Sequence, residues 1–299
     1  MNLRTPGPVA SLALGVFAVS WAGVLFRLAK CPASVASFWR VAFACAVLLP
    51  FVLRERGGAA VSVNPDPPAP LFRGRVLPTV LVAGALLALH FVTWFASLQH
   101  TSLASSTLLV TTQPIWAALL SPILLREKPA ARTIFAMGLA FGGVAFLTGG
   151  DFSASRGTLK GNLLSLLGAA LAAAYLVLGR GLRARWPLLR YFFVVSATAA
   201  AGVAAVGLTL HGSLKFELRA LPWLLLLGVV PHVTGHGMLN RAVRHFPVYV
   251  VNLAGTGEAV LASIWGAVFF REPIRTHLLL AAVLIFGAIA IALRGERRS

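Results

Sequence analysis

The chain has 299 residues, 58% of them hydrophobic and 11% charged, with a net charge of +18 and a mean hydropathy of +0.85. A soluble domain carries about 25% charged residues, so this composition cannot cover a water-facing surface. The basic residues sit singly or in small groups between apolar runs, which excludes the concentrated basic face of a nucleic-acid binder.

Ten apolar runs follow one another, at 8–29, 33–53, 76–98, 102–125, 132–149, 159–179, 188–210, 220–240, 247–270 and 276–293. Each approaches the ~20 residues that a helix needs to cross the hydrocarbon core. The first run has no short apolar segment ending in a small-residue cleavage site, so it reads as a retained span rather than a signal peptide. Cys31 and Cys45 fit no lipidation or disulfide pattern, and Cys45 reads as a small packing residue. The longest connection, Arg54 to Arg75, contains NPDPPAP and is too rich in proline for regular structure.

Lys and Arg mark cytoplasmic loops. The two termini and the loops after runs two, four, six and eight hold seventeen of them, against eight on the other side. Arg40, inside run two, is the remaining one. The bias predicts a multi-pass protein of the cell (inner) membrane with both termini in the cytoplasm, which requires an even number of spans.

The second half repeats the first. At an offset of 145, His100 falls on His245, Leu108 on Leu253, Thr111 on Thr256, Gln113 on Glu258, Arg126 on Arg271, Glu127 on Glu272 and Gly142 on Gly287. At an offset of 153, Gly15 falls on Gly168 and Arg27 on Arg180, the difference being taken up by the long Arg54–Arg75 loop. Two halves, 1–150 and 151–299, then hold five spans each. Five is odd, so the second half must enter the membrane upside down. The expected fold class is therefore all-α integral membrane, with ten transmembrane helices as two inverted five-helix repeats, an architecture of many secondary transporters.

The residues VSWAGVLFRLAK (19–30), FWRVAFA (38–44), SLQHTSLASSTLLVTTQPIWAALLSPILLRE (97–127) and GEAVLASIWGAVFFREP (257–273) carry a family likeness. Through them, and over nearly its whole length, the chain resembles the drug/metabolite transporter superfamily in its ten-helix EamA form. In that pattern a Glu-Pro pair often opens the stretch matched here by Glu258-Ala259. This chain keeps the acid and lacks the proline, while Pro114 holds the equivalent place in the first half. The resemblance implies export, sometimes import, of amino acids and other small metabolites.

Ionisable groups inside spans are expensive and therefore informative. They are Arg40, His90, His232, His236 and Glu258. Glu258 reads as a proton-coupling site or a partner for a substrate amine, and equally as a structural carboxylate bonded to a neighbouring helix. His90 shares a helix face with Trp94, and His232 shares one with His236. These imidazoles suit a substrate carboxylate or a proton relay, or plain interhelical hydrogen bonding. No third ligand is spaced beside the histidine pair to make a metal site. Arg40, near the start of its run, reads as snorkelling to the interface or as a cavity residue. Thr111, Gln113 and Asn252 are further polar candidates for substrate contact. Thr256 and Asn252 share a face on which Glu258 cannot lie if the helix is regular. Arg126-Glu127 and Arg271-Glu272 close their runs, as local ion pairs fixing the helix ends or as braces for two gates.

No phosphate-cradling loop, nucleophile elbow or zinc-protease motif is present, so neither an enzyme nor a cofactor is expected. The expected partners are a small-molecule solute, the lipid bilayer and, as coupling ion, the proton. The sequence thus predicts alternating-access export of a small polar or amphipathic metabolite such as an amino acid. The rivals are an uptake permease or uncoupled facilitator and, outside transport, a membrane enzyme or helper subunit.

Overall fold

With no water to bond its backbone, a chain this apolar must satisfy its N–H and C=O groups internally, and helices do so. The structure is a computed structural model that describes residues 7–54, 76–97, 99–101, 103–148, 156–183, 187–271 and 278–296. Among these, every regular element is helical. The Arg54–Arg75 loop beyond residue 54, and Glu272, lie outside the described residues.

The helices are α1 (Pro8–Val19), α2 (Ala22–Ala29), α3 (Ala33–Arg54), α4 (Val76–Ser97), α5 (Leu103–Val110), α6 (Gln113–Leu124), α7 (Ala131–Thr148), α8 (Arg156–Arg183) and α9 (Leu188–His211). Then come α10 (Leu221–Leu227), a π-helical segment Gly228–His236, α11 (Gly237–Ala242), α12 (Val248–Gly255), α13 (Gly257–Phe270) and α14 (Leu278–Glu296). Several run on from one another with only a brief irregularity between them. Eight continuous stretches of 18 to 25 residues are long and apolar enough to cross a bilayer. Two shorter apolar helices, Leu108–Leu124 and Ala131–Phe146, accompany them.

The outer surface is apolar in a way water would not tolerate. Leu279 is 80% exposed, Ile123 70% and Phe135 64%. A belt of such residues on almost every helix is a lipid-facing surface.

Inside, the strongest packing joins α4 to α8 and α9, α3 to α9, and α7 to α14. Helix α6 lies on α8 and α12, and α1 lies on the π segment and α11. Small residues permit these approaches. Ala136, Ala140 and Val144 of α7 are fully buried, as are Ala281, Ile285 and Ala288 of α14. Three buried hydroxyls tie α4, α5 and α8: Ser165 Oγ lies 2.9 Å from Ser97 Oγ and 2.9 Å from Ser106 Oγ, which are themselves 2.8 Å apart.

Gly84 is where α4 comes against α9. A Cβ there would stand 2.5 Å from Thr198 Cβ and 2.8 Å from the Val195 carbonyl oxygen. Gly84→Ala is therefore expected to cost about 1–3 kcal/mol of stability through overpacking. Thermal unfolding in detergent checks this against Gly138→Ala, whose new methyl group enters open space. Equal midpoints for the two variants would refute it.

Candidate functional site

Three long spans are interrupted near their middles. The first breaks at Ser20-Trp21, between α1 and α2. Trp265 Nε1 donates to Ser20 Oγ at 2.9 Å, and its ring lies 4.4 Å from that of Trp21, so α13 is seated on this break. The second break is at Thr111-Thr112, between α5 and α6. Both hydroxyls bond back to carbonyls three residues earlier, Thr111 to Leu108 at 2.8 Å and Thr112 to Leu109 at 2.6 Å. Such back-bonding competes with the helical ladder, and Pro114 follows in the first turn of α6 without an N–H to donate.

The third break is at Thr256, between α12 and α13. Here the hydroxyl donates to the Leu253 carbonyl at 2.7 Å, and no proline is involved. Thr111 and Thr256 stand at the 145-residue offset, and so do their acceptors Leu108 and Leu253. Arg126 and Arg271, at the same offset, both adopt the left-handed conformation, with φ of 61° and 55°, one way a helix is ended.

The third break changes what Glu258 can meet. On an unbroken helix it would point away from Asn252 and Thr256. With α13 restarting at Gly257, Glu258 falls in that helix's first turn, and all three residues line one cavity. The free N–H groups of a helix start favour a carboxylate there.

That cavity has a volume of about 570 Å³, within the usual range for a small-molecule site. Residues from both halves wall it. His90, Trp94, Thr111 and Gln113 from the first half and His236, Asn252 and Glu258 from the second all contribute. His232 does not reach it. This side chain is fully buried behind the wall, with Nε2 3.0 Å from Ser196 Oγ and its ring stacked on Phe192 at 5.3 Å. It touches the wall from behind, its ring centre 5.4 Å from that of His236 and 5.9 Å from that of Phe91, both of which line the cavity.

The hydrogen bonds fix the protonated nitrogen of one lining histidine and the partner of the other. His90 Nδ1 lies 2.9 Å from the Gly168 carbonyl, which can only accept, so Nδ1–H donates. His90 stacks on Trp94 with the two rings within 2° of parallel. Asn240 donates to Tyr175 Oη at 3.4 Å, and the Tyr175 hydroxyl in turn lies 2.9 Å from His236 Nδ1. Tyr175 can therefore donate to His236 Nδ1, and in that tautomer the other nitrogen of His236 bears its hydrogen.

Two further groups join the wall: Tyr175, which the sequence reading did not single out, and Arg40, which it left open between the interface and the cavity. Tyr175 orients His236. Arg40, far from snorkelling to an interface, is 2% exposed and lines the cavity. Its guanidinium lies 4.6 Å from the centre of the Phe91 ring and is close enough to Glu258, Tyr175, His90, His232 and His236 to act on each through its charge. The available signal was its depth, roughly 10 Å into α3 at 1.5 Å per residue.

Near one end of the cavity three segments are tied together by Arg180. Glu127 does not pair with its neighbour Arg126. Its Oε1 instead accepts from Arg180 Nε and Nη2 of α8, both at 2.6 Å. Arg180 Nη1 donates to the Phe246 carbonyl at 2.9 Å and to that of Val243. Arg180 lies one turn beyond Leu176, and Val243 one turn beyond Leu239, both of which line the cavity. Arg271 caps α13 with an exposed side chain, and its neighbour Glu272 lies outside the described residues.

A lipid-facing bundle of long helices, broken at mid-span around a mostly apolar cavity into which polar side chains from both halves are set, is the build of a membrane transporter. The chain belongs to the EamA-like transporter family, whose model matches residues 8–149 and 159–294. It is 27% identical over 268 residues to the pseudopaline exporter CntI of Pseudomonas aeruginosa, covering 88% of this chain and 87% of that one. It is 24% identical to an uncharacterized transporter of Archaeoglobus fulgidus, covering 92% and 95%. A solved structure described only as the crystal structure of a protein shares the fold, with a TM-score of 0.78 over 98% of this chain and all of that one, at 18% identity. A small-molecule solute and a lipid environment follow from the family. Family and relatives alike point to transport rather than to enzymatic chemistry.

Proposed function

We propose that this protein is a secondary transporter that exports a small polar or amphipathic metabolite, such as an amino acid, across the cell inner membrane by proton-coupled alternating access. The observation that carries the reading is the cavity, walled from both halves where two spans break at equivalent positions. Broken helices expose backbone dipoles and polar side chains at mid-membrane, where a solute must be held and released.

The architecture we infer is ten spans in two inverted halves, 1–150 and 151–299. In support, the packing keeps its pattern when each span is exchanged for its counterpart. Helix α4 on α8 corresponds to α10–α11 and the π segment on α1–α2, and α4 on α9 corresponds to the same span on α3. The excess of Lys and Arg supports a cytoplasmic position for both termini. A reporter active only in the periplasm, fused after Ser299, is expected to be silent, and its activity would reverse the orientation.

Solute contact is assigned to His90, Trp94, Thr111, Gln113, His236 and Asn252, with His232 supporting His236 from behind. Glu258 is the proposed proton carrier. Glu127 closes the cytoplasmic gate with Arg180, while Arg126 terminates its helix, and Arg271 and Glu272 mark the opposite gate. The relative named as a pseudopaline exporter supports the outward direction.

The test is flux. Radiolabelled metabolites are offered to inside-out vesicles and to proteoliposomes, with and without a proton gradient. An acidic lumen is expected to drive accumulation in the inside-out vesicles. Accumulation that ignores the gradient would mean an uncoupled facilitator, and accumulation only in the reverse sense would mean uptake. No flux of any solute would remove the transport mechanism altogether.

A further inference from the structure

We infer that Arg40 is the residue that selects the solute, by binding a carboxylate carried on it. The inference rests on reading this cavity as the solute pathway.

An arginine keeps its charge in proteins and has five N–H donors. Taking it out of water without a partner is among the most expensive things a membrane protein can do. Arg40 is 2% exposed, yet among the described residues no hydrogen bond or ion pair holds its guanidinium. Its Nε is buried and unpartnered. The Phe91 ring 4.6 Å away stabilises the charge from one face but accepts none of the in-plane N–H groups. Glu258 is near enough to act on it through space and still makes no ion pair with it.

The backbone that carries it is held in place: a Cβ added at Gly228 would stand 2.9 Å from the Arg40 carbonyl oxygen, so the π segment packs directly on α3 there. A planar fork of donors over the Phe91 ring, in the wall of a mostly apolar cavity, matches a planar oxyanion. His236, in the tautomer whose Nδ1 accepts from Tyr175, holds its remaining N–H for the same group. A single cation and a single neutral donor suit a monoanionic carboxylate better than a dianionic phosphonate.

The experiment measures equilibrium binding to the purified full-length chain in nanodiscs. The probes are hydrocinnamate and the alcohol, amine and phosphonate of the same carbon skeleton, used up to the millimolar range. The wild type is expected to prefer the acid to the alcohol by about tenfold or more, the size of one charge-assisted hydrogen-bonded pair, and to prefer it to the phosphonate. In R40Q that ratio should fall to about one, and R40K, which keeps the charge without the fork, should lie between. The double variant R40Q/E258Q separates the alternatives. If Arg40 were merely the counter-ion of Glu258, removing both would restore the wild-type ratio. If it is the carboxylate anchor, the ratio stays near one.

A wild-type preference for the amine, the alcohol or the phosphonate would overturn the inference. So would an unchanged ratio in R40Q, restoration in the double variant, or no binding of any probe. A solute without a carboxylate that is nonetheless carried in vesicles would leave the transporter intact and remove only this assignment. Acid-selective binding without flux would do the reverse.

Discussion

Replacing Glu258 by glutamine is expected to abolish gradient-driven accumulation. A gradient of about one pH unit supplies about 1.4 kcal/mol per proton, enough for roughly tenfold accumulation in a one-for-one exchange. Glutamine has nearly the same shape and fills the same place at the start of α13, but it cannot bind and release a proton. The accumulation ratio in inside-out vesicles should therefore fall to about one, with or without an acidic lumen. Glu258→Asp keeps the titrating group one methylene shorter and should retain part of the response. The asymmetry of the two halves sharpens the expectation. The counterpart of Glu258 is Gln113, which also lines the cavity and does not titrate. Gln113→Glu should therefore not substitute for the lost acid unless its position is equivalent for coupling as well as for geometry. Transport by Glu258→Gln with the wild-type pH dependence would show that the proton travels elsewhere, with His90 and His236 the next groups to change.

The sequence made some of this legible and hid the rest for definite reasons. Eight of the expected spans were readable because apolar length in lipid is dictated by bilayer thickness, which leaves little freedom. The break before Pro114 was readable because proline lacks a donor wherever it stands. The break at Thr256 was not. Threonine back-bonds weakly in many intact helices, and whether the ladder yields depends on what packs around it. That single irregularity decides whether Asn252, Thr256 and Glu258 meet, so the site could not be assembled from helical spacing alone. Arg40 was ambiguous because a long side chain near a helix end can reach water. The packing of α3 against the π segment removes that option. His232 was grouped with His236 by spacing, since residues four apart share a face, yet Phe192 and Ser196 of α9 take it out of the cavity. Arg180 was read only as the repeat counterpart of Arg27 and as a topology marker. Its partners lie 53, 63 and 66 residues away in sequence, and no local pattern announces them.

Breaking the clasp at Arg180 is expected to open the cavity to the cytoplasm. Arg180 joins three segments: Glu127 just past α6, Val243 just past α11, and Phe246 before α12. Leu176 and Leu239, one turn before Arg180 and Val243 in the chain, line the cavity, so the three segments are proposed to separate when it opens to that face. Both charged side chains are about a quarter exposed, so the pair is worth less than a fully buried one, but two carbonyls share the same guanidinium. Losing the set is expected to shift the balance of states by about 1–3 kcal/mol, which is about 5- to 150-fold. Leu239→Cys, in a background with Cys31 and Cys45 replaced by serine, reports this through labelling by a membrane-impermeant maleimide applied from the cytoplasmic side. Glu127→Ala and Arg180→Gln should each speed labelling several-fold. The charge-reversed pair, Glu127→Arg with Arg180→Glu, should not restore slow labelling, because a carboxylate at 180 would face the Val243 and Phe246 carbonyls with no hydrogen to donate. A plain ion-pair latch predicts the opposite for that reversal. Labelling at the wild-type rate in Glu127→Ala would mean that the clasp merely fastens helix ends, and that whatever seals this mouth is the apolar packing of Leu176 and Leu239 themselves.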